Sequence, residues 1–341
     1  MNFIDTTIFT FVLVSSILIF LLLRDLFHHQ TITEKIKNTS RKISTILRHK
    51  RYPFFGKKEI IAKILLSLLC LGICTALYAR FIEPYWLKTT IVRYDFPQIT
   101  EPIKIIWLAD LQIGNHKKTD WLEKIIKKID EQNPDLIILG GDIIDNEGGN
   151  NDEIKYLDAL KNLSEKYPIY YIMGNHEYGI GGSDQQQQKN ADMSKEIQDE
   201  MASLNILLLA NNLVCPLIKQ QKICFYGIDD IWKTKPTFSA LDNWDEQLPL
   251  IFLTHNPDGI LSYPEDKKQP SLTLAGHTHG GQVWLPFIGP LGNASIKLGE
   301  VYYRGQQNYH GTPIYISVGA GESGGTIRFL ARPELTVVEV E

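Results

Sequence analysis

Asp135-Leu-Ile-Ile-Leu-Gly-Gly-Asp-Ile-Ile-Asp145 is a run of four branched aliphatic residues that stops on two glycines and then presents carboxylates. A short continuous apolar run bounded by turn residues reads as a strand buried on both faces. Side chains placed just past such a strand emerge at the sheet edge where open α/β folds bind ligands. The same grammar recurs along the chain. Lys104-Ile-Ile-Trp-Leu-Ala109 stops at Asp110-Leu-Gln112, and Ile169-Tyr-Tyr-Ile-Met173 stops at Gly174-Asn-His-Glu177. Leu250-Ile-Phe-Leu-Thr254 stops at His255-Asn-Pro257, and Leu272-Thr-Leu-Ala275 at Gly276-His-Thr-His279.

Helical periodicity fills the gaps. Residues 119–132 place Leu122, Ile125, Ile126 and Ile129 on one face, with Thr119 as the expected N-cap. Residues 152–166 and 191–203 also read as helical. Ile314–Val318 and Leu335–Val340 read as closing strands, and the Gly/Gln-rich stretch 181–188 reads as a mobile loop near the strand ends. Strands alternating with helices give an α/β class with layered architecture.

The strand-end residues include Asp110, Gln112, Asp142, Asn175, His255, His277 and His279. Three imidazoles, two carboxylates and two amide oxygens suit Mn, Fe or Zn better than Ca, which prefers an all-oxygen shell. The set is too large for one tetrahedral ion, whereas two ions about 3.5–4 Å apart that share a carboxylate would use all of it.

Taken in order, D-x-Q, G-D-x-x-D, G-N-H-E, a lone His and G-H-x-H resemble the motifs of the calcineurin-like metallophosphoesterases, over about residues 102–341. Gly276-His-Thr-His-Gly-Gly-Gln282 and Phe81-Ile-Glu-Pro84 resemble a bacterial membrane-anchored branch. The resemblance implies a β-sandwich flanked by helices. It implies that Asp110, Gln112, His279 and a bridging Asp142 hold one metal, and that Asn175, His255, His277 and the same Asp142 hold the other. It also implies His176 as the acid beside the leaving group, oriented by Asp145, with attack by a hydroxide held between the metals. Most members have His where this chain has Gln112. The harder amide oxygen favours Mn, with Fe, Zn or Mg as alternatives.

Charge divides the chain. Residues 1–100 hold 14 Lys or Arg against 6 Asp or Glu, and the rest holds 21 against 33. The acidic part speaks against nucleic acid as a partner, since binding it rests on neutralising phosphates with basic residues. The basic part accompanies two apolar runs, about 4–23 and 60–79, each close to the ~20 residues a membrane helix needs. Between them, residues 24–59 carry ten Lys or Arg against three acids. Basic short loops stay cytoplasmic, so a multi-pass anchor over 1–87 would place the 88–341 domain outside the cytoplasm. Tyr85 and Trp86 suit the membrane interface. Cys70 and Cys74 read as buried thiols. Cys215 and Cys224 flank a hairpin turn at Lys219-Gln220-Gln221, so a disulfide between them is open if the register allows, although a domain of this size should not need one.

Beside the metals, Arg304 and Arg328 read as structural arginines or phosphate contacts, and Tyr178 and Trp284 as cleft wall or packing. The expected activity is metal-dependent hydrolysis of a phosphodiester or pyrophosphate bond, in a membrane lipid or envelope precursor. The alternatives are a UDP-2,3-diacylglucosamine-type pyrophosphatase and a non-catalytic sensor of phosphate ligands at the membrane. The sequence points to no protein partner.

Overall fold

A computed structural model describes residues 54–341 apart from 115, 147–150 and 182–189, together with positions 10, 14, 15 and 19. The chain divides into two units, Met1–Phe81 and Ile82–Glu341. In the first, helix α1 spans Phe54–Phe81. Ile60, Ile61, Ile64, Leu65, Leu68 and Leu71 are each more than half exposed and leave one broad apolar face of the helix open. The stretch Ile60–Tyr85 is long and apolar enough to cross a membrane, by length and composition. The second expected span lies here. The first, about 4–23, lies outside the described residues except at 10, 14, 15 and 19, and so does the expected basic loop except for 54–59, which are helical in α1; residues 182–188 of the expected mobile stretch also lie outside them. Cys70 and Cys74 are exposed rather than buried, because their helix turns that surface to its surroundings and not to a protein core.

In the second unit the strands run β1 (Lys88–Tyr94), β2 (Ile103–Leu108), β3 (Leu136–Gly140), β4 (Ile169–Ile172), β5 (Leu207–Leu208), β6 (Asn212–Val214), β7 (Leu217–Ile218) and β8 (Gln221–Lys222). They continue as β9 (Cys224–Gly227), β10 (Leu250–Leu253), β11 (Leu272–Ala275), β12 (Trp284–Leu285), β13 (Gly289–Pro290), β14 (Gly305–Tyr309), β15 (Thr312–Ile316) and β16 (Glu334–Val340). Two six-stranded sheets form, in the orders β1-β16-β2-β3-β4-β5 and β14-β15-β11-β10-β9-β6. Within them β2, β3, β4 and β5 are parallel, and so are β9, β10, β11 and β15.

Each continuous apolar run is divided by the two-residue period of a strand. Ile103, Ile105 and Trp107 of β2 point between the sheets, where they meet Phe225, Ile251, Leu253, Leu272 and Leu274. Ile106 and Leu108 point the other way, against helix α2 (Thr119–Gln132) and helix α3 (Ser194–Ser203). In α2 the buried face is Trp121, Leu122, Ile125 and Ile129. Thr119 is already helical and Lys118 holds the cap position without a side-chain bond, which corrects the expected cap. Residues 151–164 are largely 3₁₀ helix.

Cys215 and Cys224 are disulfide-bonded. β6 and β9 pair antiparallel with Val214 opposite Phe225, so the next pair in register is Cys215 and Cys224. The pairing follows from register rather than from any need of the fold. The turn between them is the expected hairpin, β7 and β8, with Lys219 and Gln220 both left-handed.

Candidate metal centre

The carboxyl ends of the parallel strands of both sheets converge, and each sheet contributes a different chemistry. The first supplies oxygen donors: Asp110 and Gln112 after β2, Asp142 after β3, and Asn175 after β4. The second supplies imidazoles: His255 after β10, and His277 and His279 after β11. Asp110, Gln112, Asp142, His277 and His279 all hold left-handed backbone, with φ between 48° and 69°. That conformation costs a non-glycine residue roughly 1–3 kcal/mol and clusters at functional sites. Backbone hydrogen bonds hold it in place. Gln112 N donates to Asp142 O at 3.0 Å, His277 N donates to Asp110 Oδ1 at 2.9 Å, and His176 N donates to Asp142 Oδ1 at 2.9 Å. Gly276 is required for the approach, since a Cβ there would lie 2.7 Å from Asp110 Oδ2.

The side chains form two groups that share Asp142. The ligand atoms of Asp142, His255 and His277 lie within 4.8 Å of one another, and so do those of Asp110, Asp142 and His279. His255 Nε2 is 3.2 Å from Asp142 Oδ2, and His279 Nε2 is 3.7 Å from Asp110 Oδ1. Asn175 Oδ1 lies 3.0 Å from His277 Nδ1. Gln112 Nε2 donates to Asp142 Oδ2 at 3.0 Å, which leaves its buried Oε1 with no hydrogen-bond partner. An unpaired buried oxygen beside two carboxylates fits a cation. Nδ1 of His255 donates to Gly140 O at 2.9 Å and that of His279 to Gly321 O at 3.3 Å, so Nε2 of both faces the group. A backbone acceptor on the far nitrogen is how metal-binding imidazoles are oriented.

The electrostatics are those of an uncompensated site. Burial pushes Asp110 up to about 7, against the pull of His255 and with Asp142 adding to the rise. Burial also opposes ionisation of Asp142, yet His255 and His176 outweigh it and hold that carboxyl well below the usual range. Burial likewise acts to lower His255, but Asp142 and Asp110 overcome it and raise its pKa well above the ordinary imidazole value. His277 falls to about 3 through burial and the adjacent His255. His279 is lowered by burial and by Arg328, so both offer neutral lone pairs.

A cleft of about 170 Å³ opens over the centre, walled by His176, Trp232, Gln282, Asn293, Ser295 and Ser323. His176 Nδ1 donates at 2.5 Å to the backbone carbonyl of Asp145, where the sequence pointed to the carboxylate. Its Nε2 is 3.9 Å from Asp142 Oδ2 and 3.5 Å from Ser323 Oγ. Burial lowers the His176 pKa, but Asp142 and the Asp145 carbonyl outweigh it, for a net rise.

Tyr178 and Trp284 are not among the lining residues. Tyr178 donates to Asp229 Oδ1 at 2.7 Å, and Trp284 lies 3.8 Å beneath the Arg304 guanidinium. Arg328 is fully buried and donates to Glu322 and to backbone carbonyls, which is the structural reading.

Two residues were missed. Glu177 accepts from the amides of Asp142, Ile143 and Gly174 at 2.6–3.0 Å and ties two strand-end loops together. Its place in G-N-H-E was the available signal. Asp230, raised to about 6 by burial despite His255, follows the short apolar run of β9 as the other donors follow theirs.

Residues 103–281 match the family model of the calcineurin-like phosphoesterases. An uncharacterized metallophosphoesterase of Bacillus subtilis, YkuE, is 32% identical over 268 residues, covering 76% of this chain and 87% of that protein. The phosphodiesterase YaeI of Escherichia coli is 30% identical over 270 residues, covering 77% and 92%. A transmembrane protein with a metallophosphoesterase domain from Danio rerio is 24% identical over 257 residues, covering 70% of this chain and 53% of its own length. The chain belongs to the calcineurin-like phosphoesterase family and is a metal-dependent phosphoester hydrolase with two divalent ions at its centre.

Proposed function

We propose that this enzyme hydrolyses a phosphodiester or pyrophosphate bond in a membrane lipid or envelope precursor, anchored beside its substrate. The observation that carries the reading is a single chain holding both the paired donor groups around Asp142 and the long, largely apolar helix α1. Asp110, Gln112, His279 and Asp142 would hold one ion, and Asn175, His255, His277 and Asp142 the other. Mn is favoured because Gln112 offers a hard amide oxygen. When bound, two such ions supply Lewis acidity and lower the pKa of water toward neutrality.

The chain's own residues do the rest. Asp142 lies between the two donor groups and fixes their separation. His176 Nδ1 is held by the Asp145 carbonyl, which leaves Nε2 at the cleft, where it would protonate the departing oxygen. Ser323 and Gln282 line the cleft beside His176. The anchor is proposed to span residues 1–87, with two membrane helices and a basic cytoplasmic loop, and to hold the 88–341 domain on the extracytoplasmic face. The pairing of Cys215 with Cys224 favours that face, since disulfides persist in oxidising compartments.

The test is turnover of the full chain in detergent, stripped of metal and reconstituted with Mn, on phosphodiesters of differing leaving group. His176→Ala should cost about 10²–10⁴-fold on poor leaving groups and little on an activated one. Equal losses on both would remove His176 as the acid. Fewer than two ions per chain, with no turnover, would favour a phosphate-binding sensor.

A further inference from the structure

Between Gln282 and Gly292, both at the cleft, the chain leaves the sandwich to form the β12–β13 hairpin. Its tip is apolar and open. Phe287 is 108% exposed and Ile288 68%, and Leu291 on the returning side is 59% exposed. Phe287 also holds left-handed backbone, φ 67°, which thrusts its ring outward instead of folding it onto the sheet. Scattered apolar residues on a surface are ordinary, but a contiguous apolar projection marks an interaction site.

The base of the hairpin is joined to the segment that follows the apolar helix. Trp284 N donates to Phe329 O at 2.8 Å, and Phe329 N donates to Gln282 O at 3.0 Å. Two residues on, about 7 Å of chain at most, Ala331 N donates to Glu83 Oε1 at 2.7 Å. Arg332 Nε then donates to Trp86 O at 3.0 Å, and its guanidinium lies 4.0 Å over the Trp86 ring. Ile82 and Trp86 in that segment are themselves more than half exposed. The segment begins at Ile82, the residue after α1 ends.

We propose that the hairpin tip enters the lipid interface. Phe287 and Ile288 would be inserted among acyl chains, and the cleft mouth formed by Gln282 and Gly292 would be held at the level of the headgroups. The occupant is the bilayer, and the inference rests on the membrane anchorage proposed above. Arg304 lies over Trp284 at the base of the hairpin and Glu300 lies beside Gly289, so the insertion rests on the apolar tip and not on charge. The hairpin would then let the enzyme act on a headgroup without extracting its lipid.

The test uses the full chain with Cys70 and Cys74 replaced by serine, reconstituted in bilayers of phosphatidylcholine and phosphatidylglycerol. One environment-sensitive fluorophore is attached through a cysteine at position 287, or at 288 in a second variant. Leu68→Cys in the helix is the reference. The expected result is quenching at 287 and 288 by lipids spin-labelled near the headgroup, and protection from aqueous iodide. If position 68 meets lipid while 287 and 288 meet iodide, the hairpin proposal is overturned and the anchorage stands. If all three meet iodide, the anchorage reading fails and takes this one with it. Shielding of 287 and 288 from both quenchers would place the hairpin against protein, and would also overturn the proposal.

Discussion

Two clusters of buried charge share the 318–322 segment, and they are built in opposite ways. In the first, Lys117 Nζ donates to Pro84 O, Ala320 O and Glu322 Oε1 at 2.8–2.9 Å, and lies 3.9 Å over the Trp121 ring. Arg328 donates from the other side to Glu322 at 2.9 Å, to Ala331 O at 2.6 Å and to Gly321 O. The donors here meet acceptors. In the second, Asp110 and Asp142 face the imidazoles of His255, His277 and His279, and Gln112 Oε1 accepts nothing. Buried polar groups are normally satisfied. The first cluster is therefore closed and structural, and the second is unfinished until cations enter it. Gly321 O joins them, accepting from both Arg328 and His279.

The difference can be broken from either side. Asp142→Asn removes the carboxylate common to both donor groups. Turnover should fall by more than about 10³-fold, beyond the 10²–10³ typical of losing a single stabilising group. The folded chain should bind fewer than two ions by elemental analysis. Glu322→Ala should do the reverse. It strands two buried cations, so stability should drop by about 3–5 kcal/mol, read as a lower denaturation midpoint. Two ions should still bind at low temperature. Loss of metal with unchanged stability would erase the distinction.

A pH series sharpens the comparison. The raised pKa of His255 stabilises the metal-free chain below its unfolded value of about 6.5, and that contribution is lost as pH rises through the higher folded value. Asp110, raised to about 7, contributes in the same direction. Metal binding must expel the His255 proton, so metal stabilises more as pH rises, by up to about tenfold in affinity per pH unit for one displaced proton. The Mn-dependent shift in Tm should therefore grow between pH 6 and 8. A shift that shrinks over that range would contradict the assignment.

The smallest effect lies away from both clusters. Replacing Cys215 and Cys224 with serine opens a link between residues nine apart. It should cost at most about 2–3 kcal/mol and leave turnover unchanged, as measured by denaturation and by activity.

The sequence by itself marked the strands and the polar residues that end them. Asp110, Asp142, Asn175, His255, His277 and His279 could be read off because each follows an apolar run that a buried strand requires, and the fold brings them together. The apolar run at 60–79 was legible for the same local reason and lies within the longer helix 54–81. Tertiary structure decided what depends on partners far away in the chain. Glu334–Val340 inserts between β1 and β2, and Glu83, immediately after the apolar helix, accepts from Ala331. Nothing local marks Lys117: Glu322 is folded against it from 205 residues away, with Arg328 on the same carboxylate. The backbone carbonyl that orients His176 and the register that joins Cys215 to Cys224 are likewise invisible in composition. Local apolar patterning fixes which residues are buried, but which buried charges are satisfied depends on packing between segments that no local pattern relates.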